Sequence, residues 1–452
     1  MHGTLIVSIN KNFMKFSVVI VTLIVLMHTA CNNPKQDPSN GTADTVTTKT
    51  DTVNLPAPYA SKSVENFSKV ISWPQGKTPV APQSFTVTAF ATGLVNPRNV
   101  YVAPNGDVFV AESNTEVSGV KKVAADINGK AKSQRLDASA NRITLLRDKN
   151  GDGIPDVHSV YLSGLNQPYG ILIIGNNFYV ANTDGLWQYP YNANDTVLKS
   201  AGKKILDLPA GGYNNHWTRN IIANKDGSKI FVSVGSGSNV AEHGMANEKR
   251  RADVLEINTD GSGEIVYASG LRNPAGIALQ PNTGTLYASV NERDELGDDL
   301  VPDYFTSVKQ DGFYGWPYSY FGQHKDPRMK DSMRDDMVAK AIVPDVSLEA
   351  HVAALGLVFY NADAFPASYK DGAFIGEHGS WNRSQLSGYK VVFVPFKNGK
   401  PGEPQDFLTG FMADENKKEV YGRPVNLAVT KDGALLLADD SGNTIWRITY
   451  SK

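Results

Sequence analysis

The stretch Asn96-Pro-Arg-Asn-Val-Tyr-Val-Ala-Pro-Asn-Gly-Asp-Val-Phe-Val110 decides the fold. It contains two short apolar strands joined by an Asn-Gly turn, which is the strongest short-range signal of a β-hairpin. Similar hairpin units recur at Gln167–Val180, His216–Val232, Asn273–Ala288, Leu355–Ile375 and Arg423–Leu437. Six such units, spaced by about 50 to 80 residues, are typical of a radial β repeat. The sequence therefore predicts an all-β fold, a six-bladed β-propeller.

The propeller prediction also indicates where a site would lie. In a propeller, the loops that lead into the first strand of each blade converge around the central channel. The first residues of the six units are therefore candidate site residues. The alternating segments Phe85–Phe90 and Asn443–Tyr450 are expected to pair and close the ring. Residues 320–342 are expected to hold a short helix in an inserted loop.

Composition limits the possible partners. The chain has 41% hydrophobic and 20% charged residues, which is ordinary for a globular protein. The formal net charge of −2 gives no basic surface for phosphates, so no nucleic-acid partner is expected. A single cysteine, Cys31, rules out an intrachain disulfide and a Cys-based zinc or iron–sulfur site.

The position of that cysteine predicts export. A basic start at Met14-Lys15 is followed by the apolar run Ser17–Met27 and then by His28-Thr29-Ala30-Cys31. This pattern predicts an export signal over residues 1–31, and it resembles a bacterial lipoprotein signal with Cys31 as the lipidated residue. The expected location is the periplasm, or the outer membrane through the lipid anchor. Ordinary secretion is the alternative, because His28 stands where such signals usually have Leu.

The next segment has a different composition. Residues 32–63 are rich in Thr, Asp, Pro, Asn and Lys and have few large apolar side chains. Such a segment buries too little surface to offset its ordering entropy, which predicts a disordered polar tether. Residues 64–452 are then expected to form the propeller domain.

Histidine and arginine recur where the units begin. His216 and Arg272-Asn273 each lie just before a predicted strand, as does Arg423, and His378 and Arg383 lie in one loop. Histidine among several arginines forms a pocket that holds a multiply charged anion and keeps a base near neutral pH. The alternative for each arginine is a salt bridge, and for each histidine a structural hydrogen bond. Recurrence at equivalent blade positions favours a shared site.

The chain around these residues resembles the glucose/sorbosone dehydrogenase family, soluble six-bladed propellers that use pyrroloquinoline quinone (PQQ). It is most similar to the L-sorbosone dehydrogenase branch, and the similarity spans about residues 85–450. The matching stretches are His216–Asn220, Gly270–Gly276, Asn291–Asp298, Gly312–Pro317, His378–Arg383, Gly422–Val425 and Ala438–Asp440.

The resemblance implies roles for individual residues. His216 would be the general base that takes the hydroxyl proton while a hydride moves from the substrate carbon to the quinone. Arg272, with Asn273 beside it, would stabilise the charge that develops on the quinone oxygen. Arg423 would bind PQQ carboxylates. Further cofactor-binding candidates are His378, Arg383 and Arg98.

The resemblance also implies Ca²⁺, held by backbone carbonyls at Glu292 and Arg293. A second calcium candidate follows from spacing alone, because the oxygen ligands of Asp148, Asn150, Asp152 and Asp156 are spaced like the front of an EF-hand loop. Ser159 stands where that loop would need its closing Glu. A structural calcium ion between blades one and two is one hypothesis, and an Asp- and Gly-rich hairpin turn is the other.

Three functions are compatible with these residues. The first is a PQQ-dependent, sorbosone-type dehydrogenase that oxidises a sugar or a sugar-derived aldehyde or alcohol. Its electrons must pass to an external acceptor, because one cysteine cannot form a haem-binding Cys-x-x-Cys-His motif. The alternatives are a cofactor-free carbohydrate-binding propeller and a metal-dependent lactonase-type hydrolase. Aromatic residues within Val301–Lys340, such as Tyr314, Trp316 and Tyr320, either stack on a sugar ring or pack beneath their own loop.

Overall fold

The computed structural model describes residues 42–116, 130–133, 136 and 138–451. The chain in these ranges is almost entirely β-structure. The helices are short: α1 (Lys130–Ser133), α2 (Asp335–Val338) and three 3₁₀ turns at Met245–Glu248, Pro327–Ser332 and Ala367–Tyr369. None of the helices in the described ranges is long and apolar enough to cross a bilayer.

Six sheets form the blades, and each contains four antiparallel strands, numbered in chain order from the channel outwards. The sheet of blade three also has a short fifth strand, Gly312–Phe313, which pairs in parallel with its outermost strand. Blade one contains β5 (Pro97–Val102), β6 (Val108–Glu112), β7 (Arg142–Arg147) and β8 (Val157–Leu162). Blade two contains β9 (Gly170–Ile174), β10 (Asn177–Asn182), β11 (Gly185–Pro190) and β12 (Lys203–Asp207). Blade three contains β13 (Arg219–Ala223), β14 (Lys229–Val234), β15 (Asp253–Asn258) and β16 (Ile265–Ser269).

The second half of the chain repeats this arrangement. Blade four contains β17 (Gly276–Leu279), β18 (Leu286–Val290), β19 (Pro302–Ser307) and β23 (Val346–Ala350). Blade five contains β24 (Ala354–Phe359), β25 (Ala373–Glu377), β26 (Lys390–Val394) and β29 (Gln405–Leu408). Blade six contains β32 (Pro424–Val429), β33 (Leu435–Asp439), β34 (Thr444–Tyr450) and β4 (Phe85–Ala91).

Short strands complete the structure. Three precede the first blade: β1 (Asp44–Thr47), β2 (Thr52–Leu55) and β3 (Lys69–Val70). The others lie in loops: β20 (Gly312–Phe313), β21 (Ser319–Tyr320), β22 (His324–Lys325), β27 (Phe396–Lys397), β28 (Lys400–Pro401), β30 (Met412–Asp414) and β31 (Glu419–Val420).

The ring closes as the sequence predicts. Strand β34 pairs antiparallel with β4, with Tyr450 opposite Phe85, so the two ends of the domain share blade six. The innermost strands contact one another in the series β5, β9, β13, β17, β24, β32 and back to β5. The six-bladed β-propeller is confirmed, because each predicted hairpin unit forms the two inner strands of one blade.

Glycine and asparagine allow the inner strands to approach. A Cβ atom on Gly170 would lie 2.8 Å from the Arg219 carbonyl oxygen, and one on Gly356 would lie 2.0 Å from that of Val425. Both distances are impossible for a real side chain, so these positions require glycine. Asn99 of β5 donates instead to the Tyr169 carbonyl at 2.8 Å, joining blade one to blade two.

Residues 42–63 do not form the predicted disordered tether. Strands β1 and β2 pair as a hairpin, and Val46 and Leu55 are buried in one hydrophobic cluster with Leu296. The backbone N–H of Lys49 also donates to the Asp345 carbonyl. Composition was misleading because two well-placed apolar side chains and backbone bonds to the propeller are enough to order a polar segment. The predicted signal, Cys31 and residues 32–41 lie outside the described residues.

The insertion in blade four contains the short helix that the sequence predicts. Helix α2 and the 3₁₀ turn Pro327–Ser332 lie within it. Its aromatic residues Tyr314, Trp316 and Tyr320 are buried. The Tyr314 hydroxyl donates to the Ser307 carbonyl at 2.6 Å, and Trp316 Nε1 donates to the Asn239 carbonyl at 2.9 Å. Of the two hypotheses for these rings, the structure therefore supports the second, in which they pack beneath their own loop.

Candidate active site

All the predicted cofactor-site residues lie on one face of the propeller. In an antiparallel four-stranded blade, the loop into the first strand and the loop between the second and third strands lie at the same end. The residues at this end are Arg98, His216, Arg272, Asn273, Glu292, Arg293, His378, Arg383 and Arg423. The loop Asp148–Asp156 instead joins β7 to β8 within blade one, at the opposite end and not between two blades as expected.

His216 is held in one orientation. Its Nδ1 lies 2.8 Å from the Ser236 carbonyl oxygen and 3.0 Å from the Ser236 hydroxyl. A carbonyl only accepts, so Nδ1 carries the proton and the lone pair is on Nε2. Burial, together with the Arg272 charge, lowers the pKa of His216 to about 3. The side chain, which keeps part of its surface exposed, is therefore a neutral imidazole with its lone pair on Nε2.

Arg272 is buried, and all its N–H groups donate to the protein. Nε donates to the Asn239 carbonyl at 3.1 Å. One terminal nitrogen donates to the carbonyls of Asn291 at 3.3 Å and Glu292 at 2.6 Å. The other donates to the Asn239 side chain and to the Asp294 carboxylate, both at 3.0 Å. This network fixes the guanidinium plane. Because every N–H group already donates to the protein, Arg272 would act on a ligand mainly through its positive charge.

Asp294 and His351 support Arg272, and the sequence analysis missed both. The Asp294 carboxylate lies between Arg272 and the His351 ring, whose Nδ1 is 3.5 Å away. Burial acts to raise the pKa of Asp294, but Arg272 and His351 outweigh it and lower the pKa to about 2. A signal existed, because His351 leads into the fifth hairpin unit at the position that His216 has in the third.

Asn273 and His216 meet at a glycine. A Cβ atom on Gly235 would lie 2.4 Å from Asn273 Oδ1 and 2.6 Å from His216 Cβ, so only glycine lets these side chains approach. Asn273 Oδ1 is buried and has no hydrogen-bond partner among the described residues. A buried acceptor without a partner is costly, which indicates that a ligand donor belongs there.

Arg98, His378 and Asp440 form a second cluster. Asp440 Oδ2 lies 2.5 Å from Arg98 and 2.9 Å from His378 Nε2. Burial opposes ionisation of Asp440, but the neighbouring His378, Arg98 and Arg423 hold its pKa well below the usual range. The Arg98 guanidinium also lies 5.4 Å from the ring of Trp217, the residue after His216. Arg98 therefore contacts the residue that follows His216 in the chain.

Arg423 is buried and surrounded by carbonyls. Its guanidinium donates to His378 O at 2.9 Å, Gly379 O at 2.8 Å and Ser133 O at 3.2 Å. Within the described ranges its guanidinium forms no ion pair with a carboxylate. A guanidinium has five N–H groups, so two of them have no partner among the described residues. Arg423 therefore fits the predicted role of binding a carboxylate.

Arg383 lies apart from these clusters. It pairs with Asp299 at 2.7 Å and with Glu349 at 3.6 Å. In the described part of the chain, no hydrogen bond or ion pair joins it to the other candidate residues. The family resemblance predicted Arg383 as a cofactor-binding residue, but in the structure its partners are these two carboxylates.

The two predicted calcium sites differ in their surroundings. The Glu292 carbonyl already accepts from Arg272, and Arg293 points away to form a buried ion pair with Asp326 at 3.1 Å. In the β7–β8 loop, Asp148 accepts from the backbone N–H groups of Gly151 and Gly153, each at 2.7 Å. Among the described residues, no group of three or more His, Cys, Asp or Glu side chains is arranged to hold a metal ion.

Fold and site together define a class, a propeller enzyme whose channel face presents a neutral histidine among buried arginines. A family model described as TrAA12-like matches residues 79–312 and 314–451, so the chain belongs to that family. The predicted membership of the soluble PQQ-dependent sugar dehydrogenases is confirmed. The narrower assignment to the sorbosone branch stays a prediction.

Two curated relatives illustrate the similarity. An uncharacterised protein of Borreliella burgdorferi is 32% identical over 301 residues, which cover 64% of this chain and 77% of the relative. A PQQ-dependent pyranose dehydrogenase of Coprinopsis cinerea is 24% identical over 429 residues, which cover 80% of this chain and 53% of that enzyme. The chain thus spans about half the length of the fungal enzyme.

Solved structures share the fold. The holo PQQ domain of the Coprinopsis cinerea pyranose dehydrogenase has a TM-score of 0.66 and 19% identity, covering 85% of this chain and 100% of that chain. The PQQ-bound aldose sugar dehydrogenase of Streptomyces coelicolor has a TM-score of 0.54 and 16% identity, covering 82% and 100%. At these identities the similarity establishes the propeller fold alone.

Proposed function

We propose that this protein is a PQQ-dependent dehydrogenase that oxidises a sugar, or a sugar-derived aldehyde or alcohol, and passes the electrons to an external acceptor. The observation that carries the proposal is the neutral His216, anchored through Nδ1 beside Arg272. Because its Nδ1 proton is held by Ser236, the neutral imidazole has its lone pair on Nε2, the atom that could accept a hydroxyl proton. The family membership supports the same reaction class.

The residues present suit PQQ, a planar ortho-quinone with three carboxylates. Three of the five Arg423 N–H groups have partners among the described residues, and guanidinium binds carboxylates in pairs of hydrogen bonds. Arg98 Nε is also buried without a partner among the described residues, and the orphaned Asn273 Oδ1 is an acceptor for a ligand N–H. These groups are the ones we propose to hold the cofactor.

When bound, PQQ would supply a two-electron acceptor that takes a hydride from the substrate carbon. The protein would supply the matching proton acceptor, His216 Nε2, so that the substrate loses one hydride and one proton. Arg272, fixed by Asp294 and backbone carbonyls, would stabilise negative charge that develops beside it. Because its position is set before the reaction, little reorganisation is required.

The alternatives have weaker support. A lactonase-type hydrolase needs acidic and amide side chains around a central metal, whereas these loops place His216, Arg272 and Arg423 at the channel. A cofactor-free sugar-binding propeller would not require a buried Arg423 with two N–H groups that have no partner among the described residues. Both alternatives are separated from the dehydrogenase by a cofactor titration.

Several finer parts of the proposal stay open to test. Sorbosone-type specificity and export with lipidation at Cys31 rest on the sequence alone. Calcium is proposed as an accessory ion only, because the Glu292 carbonyl predicted to bind it accepts from the Arg272 guanidinium. One cation already occupies that position, so no step of the reaction is assigned to calcium.

The function is tested by titrating purified protein with PQQ, with Ca²⁺ and with a chelator in its place. Dye reduction is then measured across a panel of aldoses, ketoses and sugar aldehydes. Saturable binding with substrate-dependent dye reduction supports the dehydrogenase and identifies the sugar. Absence of binding at micromolar PQQ in both conditions would reject the cofactor, and equal binding with chelator would remove calcium from the proposal.

Substrate contact is proposed for Tyr213, an aromatic residue three positions before His216. Its side chain is 41% exposed, and its ring lies 4.3 Å from that of exposed His243. The backbone of the Tyr213 loop is fixed two residues further along the chain, where the Asn215 N–H donates to the Gly237 carbonyl at 2.9 Å. A rigid exposed ring at the rim of the site is suited to contact a sugar face.

Replacing Tyr213 with Ala is therefore expected to raise KM about fivefold, because an aromatic contact contributes on the order of 1 kcal/mol, while kcat stays unchanged. The control is Ile265→Ala, since Ile265 is equally exposed at 41% but begins β16 at the far end of blade three. Steady-state kinetics with the best sugar measures both. An unchanged KM in the Tyr213 variant would remove this residue from the substrate site.

The pH profile of kcat/KM should not show the decrease near pH 6.5 that an ordinary histidine base would produce. Because burial and Arg272 lower the pKa of His216 to about 3, its imidazole stays neutral as the pH falls through 6.5. We therefore expect kcat/KM of the reconstituted enzyme to stay level from pH 8 to about pH 5. A profile that falls below an apparent pKa near 6.5 would show that the free enzyme's base titrates normally.

A further inference from the structure

Residues 56–73, here called the N-terminal strap, lie along the channel face of the propeller. They precede the matched family region, which starts at residue 79. The strap crosses loops of blade four, where the Tyr59 N–H donates to the Leu296 carbonyl at 2.7 Å. It then meets the blade-five loop, where the Asn66 side chain donates to the Arg383 carbonyl at 2.9 Å. It is thus fixed to loops on either side of the candidate site.

The last residue of the strap, Trp73, contacts Asp439, the residue that accepts a hydrogen bond from the Arg423 backbone. Trp73 Nε1 donates to Asp439 Oδ2 at 2.7 Å, and the other oxygen of this carboxylate accepts from the backbone N–H of Arg423 at 2.7 Å. Asp439 is fully buried. One carboxylate therefore joins the strap directly to the residue proposed to bind a cofactor carboxylate.

The Asp439 carboxylate has very little room to move. A Cβ atom on Gly422 would lie 2.1 Å from Asp439 Oδ2, and one on Gly442 would lie 2.2 Å from the same oxygen. Trp446 Nε1 donates to Oδ2 from the propeller side at 3.2 Å, a longer bond than that of Trp73. The shorter bond from the strap thus fixes a carboxylate around which the Arg423 loop is folded.

Two further contacts join the strap to the Arg423 guanidinium. The hydroxyls of Ser68 and Ser133 are hydrogen-bonded at 3.1 Å, and the Ser133 carbonyl accepts from Arg423 at 3.2 Å. The Asn66 N–H also donates to the Trp381 carbonyl at 2.7 Å, in the loop that begins with the two other Arg423 acceptors, His378 and Gly379. Each known acceptor of the guanidinium thus lies on a segment that the strap contacts.

We propose that the strap is a positioning element for Arg423, with Trp73 and Ser68 as positioning residues, and that tight binding of the cofactor carboxylate needs both. The proposal rests on the proposed function for the identity of the ligand. It does not rest on that function for the placement of Arg423, which is a property of the protein without ligand.

The test uses Trp73→Phe in the full chain, a change that keeps an aromatic ring beside Phe411 and Trp446 and removes the N–H donor together with part of the indole. The matched control is Trp187→Phe, because Trp187 Nε1 has no partner among the described residues. Hydrogen exchange at the Arg423 amide is measured without ligand, and PQQ affinity is measured by titration. We expect at least tenfold faster exchange and at least tenfold weaker PQQ binding in the Trp73 variant, with neither change in the control.

The outcomes separate the strap from the proposed function. Exchange at Arg423 and PQQ affinity that both match wild type in the Trp73 variant would overturn the strap inference. Failure of the wild-type protein to bind PQQ would reject the proposed function, and the exchange rates alone would then decide whether the strap positions Arg423. If the Trp73 variant does not fold, Ser68→Ala, which breaks only the contact to Ser133, is judged by the same two measurements.

Discussion

Replacing His216 with Ala is expected to lower kcat about a thousandfold while PQQ affinity stays within about threefold, because a positioned general base contributes 10²–10⁴ to the rate. The loss concerns the chemical step, since His216 Nε2 is the atom proposed to take the hydroxyl proton. Folding should be little affected, because among the described residues the ring forms hydrogen bonds to Ser236 alone, and it keeps part of its surface exposed.

The experiment compares His216→Ala with His158→Ala, a histidine on the exposed outer strand β8. Titration with PQQ is done before the kinetic assay, so that a loss of cofactor is not mistaken for a loss of base. Added imidazole should restore part of the rate in the His216 variant only. A His216 variant that keeps nearly full activity after reconstitution would show that another group accepts the proton.

The fold could be predicted because its signals are local. Each blade is recognisable in the sequence as an apolar hairpin with a tight turn, such as Asn105-Gly106. Hairpins of this kind are specified within about 15 residues. The closing pair β34 and β4 was also predictable, since both segments alternate at the two ends of the domain. The strap was not, because its order depends on distant partners such as Asp439, which composition does not reveal.

The site could be predicted in part, for a similar reason. His216, Arg272 and Arg423 stand at the starts of hairpin units, so their arrival at one face follows from the blade topology. Arg383 shares a loop with His378, and only the path of that loop decides that the two side chains part. The supports of Arg272 were invisible for another reason, because Asp294 and His351 become neighbours only when blades four and five pack.

Arg272→Ala is expected to weaken PQQ binding at least a hundredfold and also to destabilise the fold. The side chain is buried and holds the Asp294 carboxylate at 3.0 Å. Removing one partner of a buried ion pair costs about 3–5 kcal/mol, since the other charge is left without compensation. The carbonyls of Asn291 and Glu292 would lose their donor as well. Both a weaker cofactor site and a lower free energy of unfolding should therefore appear together.

The pH dependence of this loss identifies its cause. The pKa of Asp294 is lowered to about 2 in the wild type, so its ionised form contributes stability at neutral pH that is lost as the pH falls towards 2. Without Arg272 that pKa must rise, and protonation then removes the uncompensated charge. The difference in unfolding free energy between wild type and variant should accordingly be largest at neutral pH and shrink on acidification, as measured by urea unfolding between pH 7 and pH 4.

Two further variants separate charge from geometry at this position. Arg272→Lys keeps a positive charge near Asp294 but cannot donate to five acceptors at once, so its stability and PQQ affinity should fall between those of wild type and Arg272→Ala. Arg250→Ala is the matched control, because Arg250 pairs with Glu264 at the surface, where an ion pair contributes about 0–1 kcal/mol. If the Arg272→Ala variant has the same free energy of unfolding and the same PQQ affinity as the Arg250→Ala variant, the buried guanidinium neither stabilises the loop of blade four nor contributes to the cofactor site.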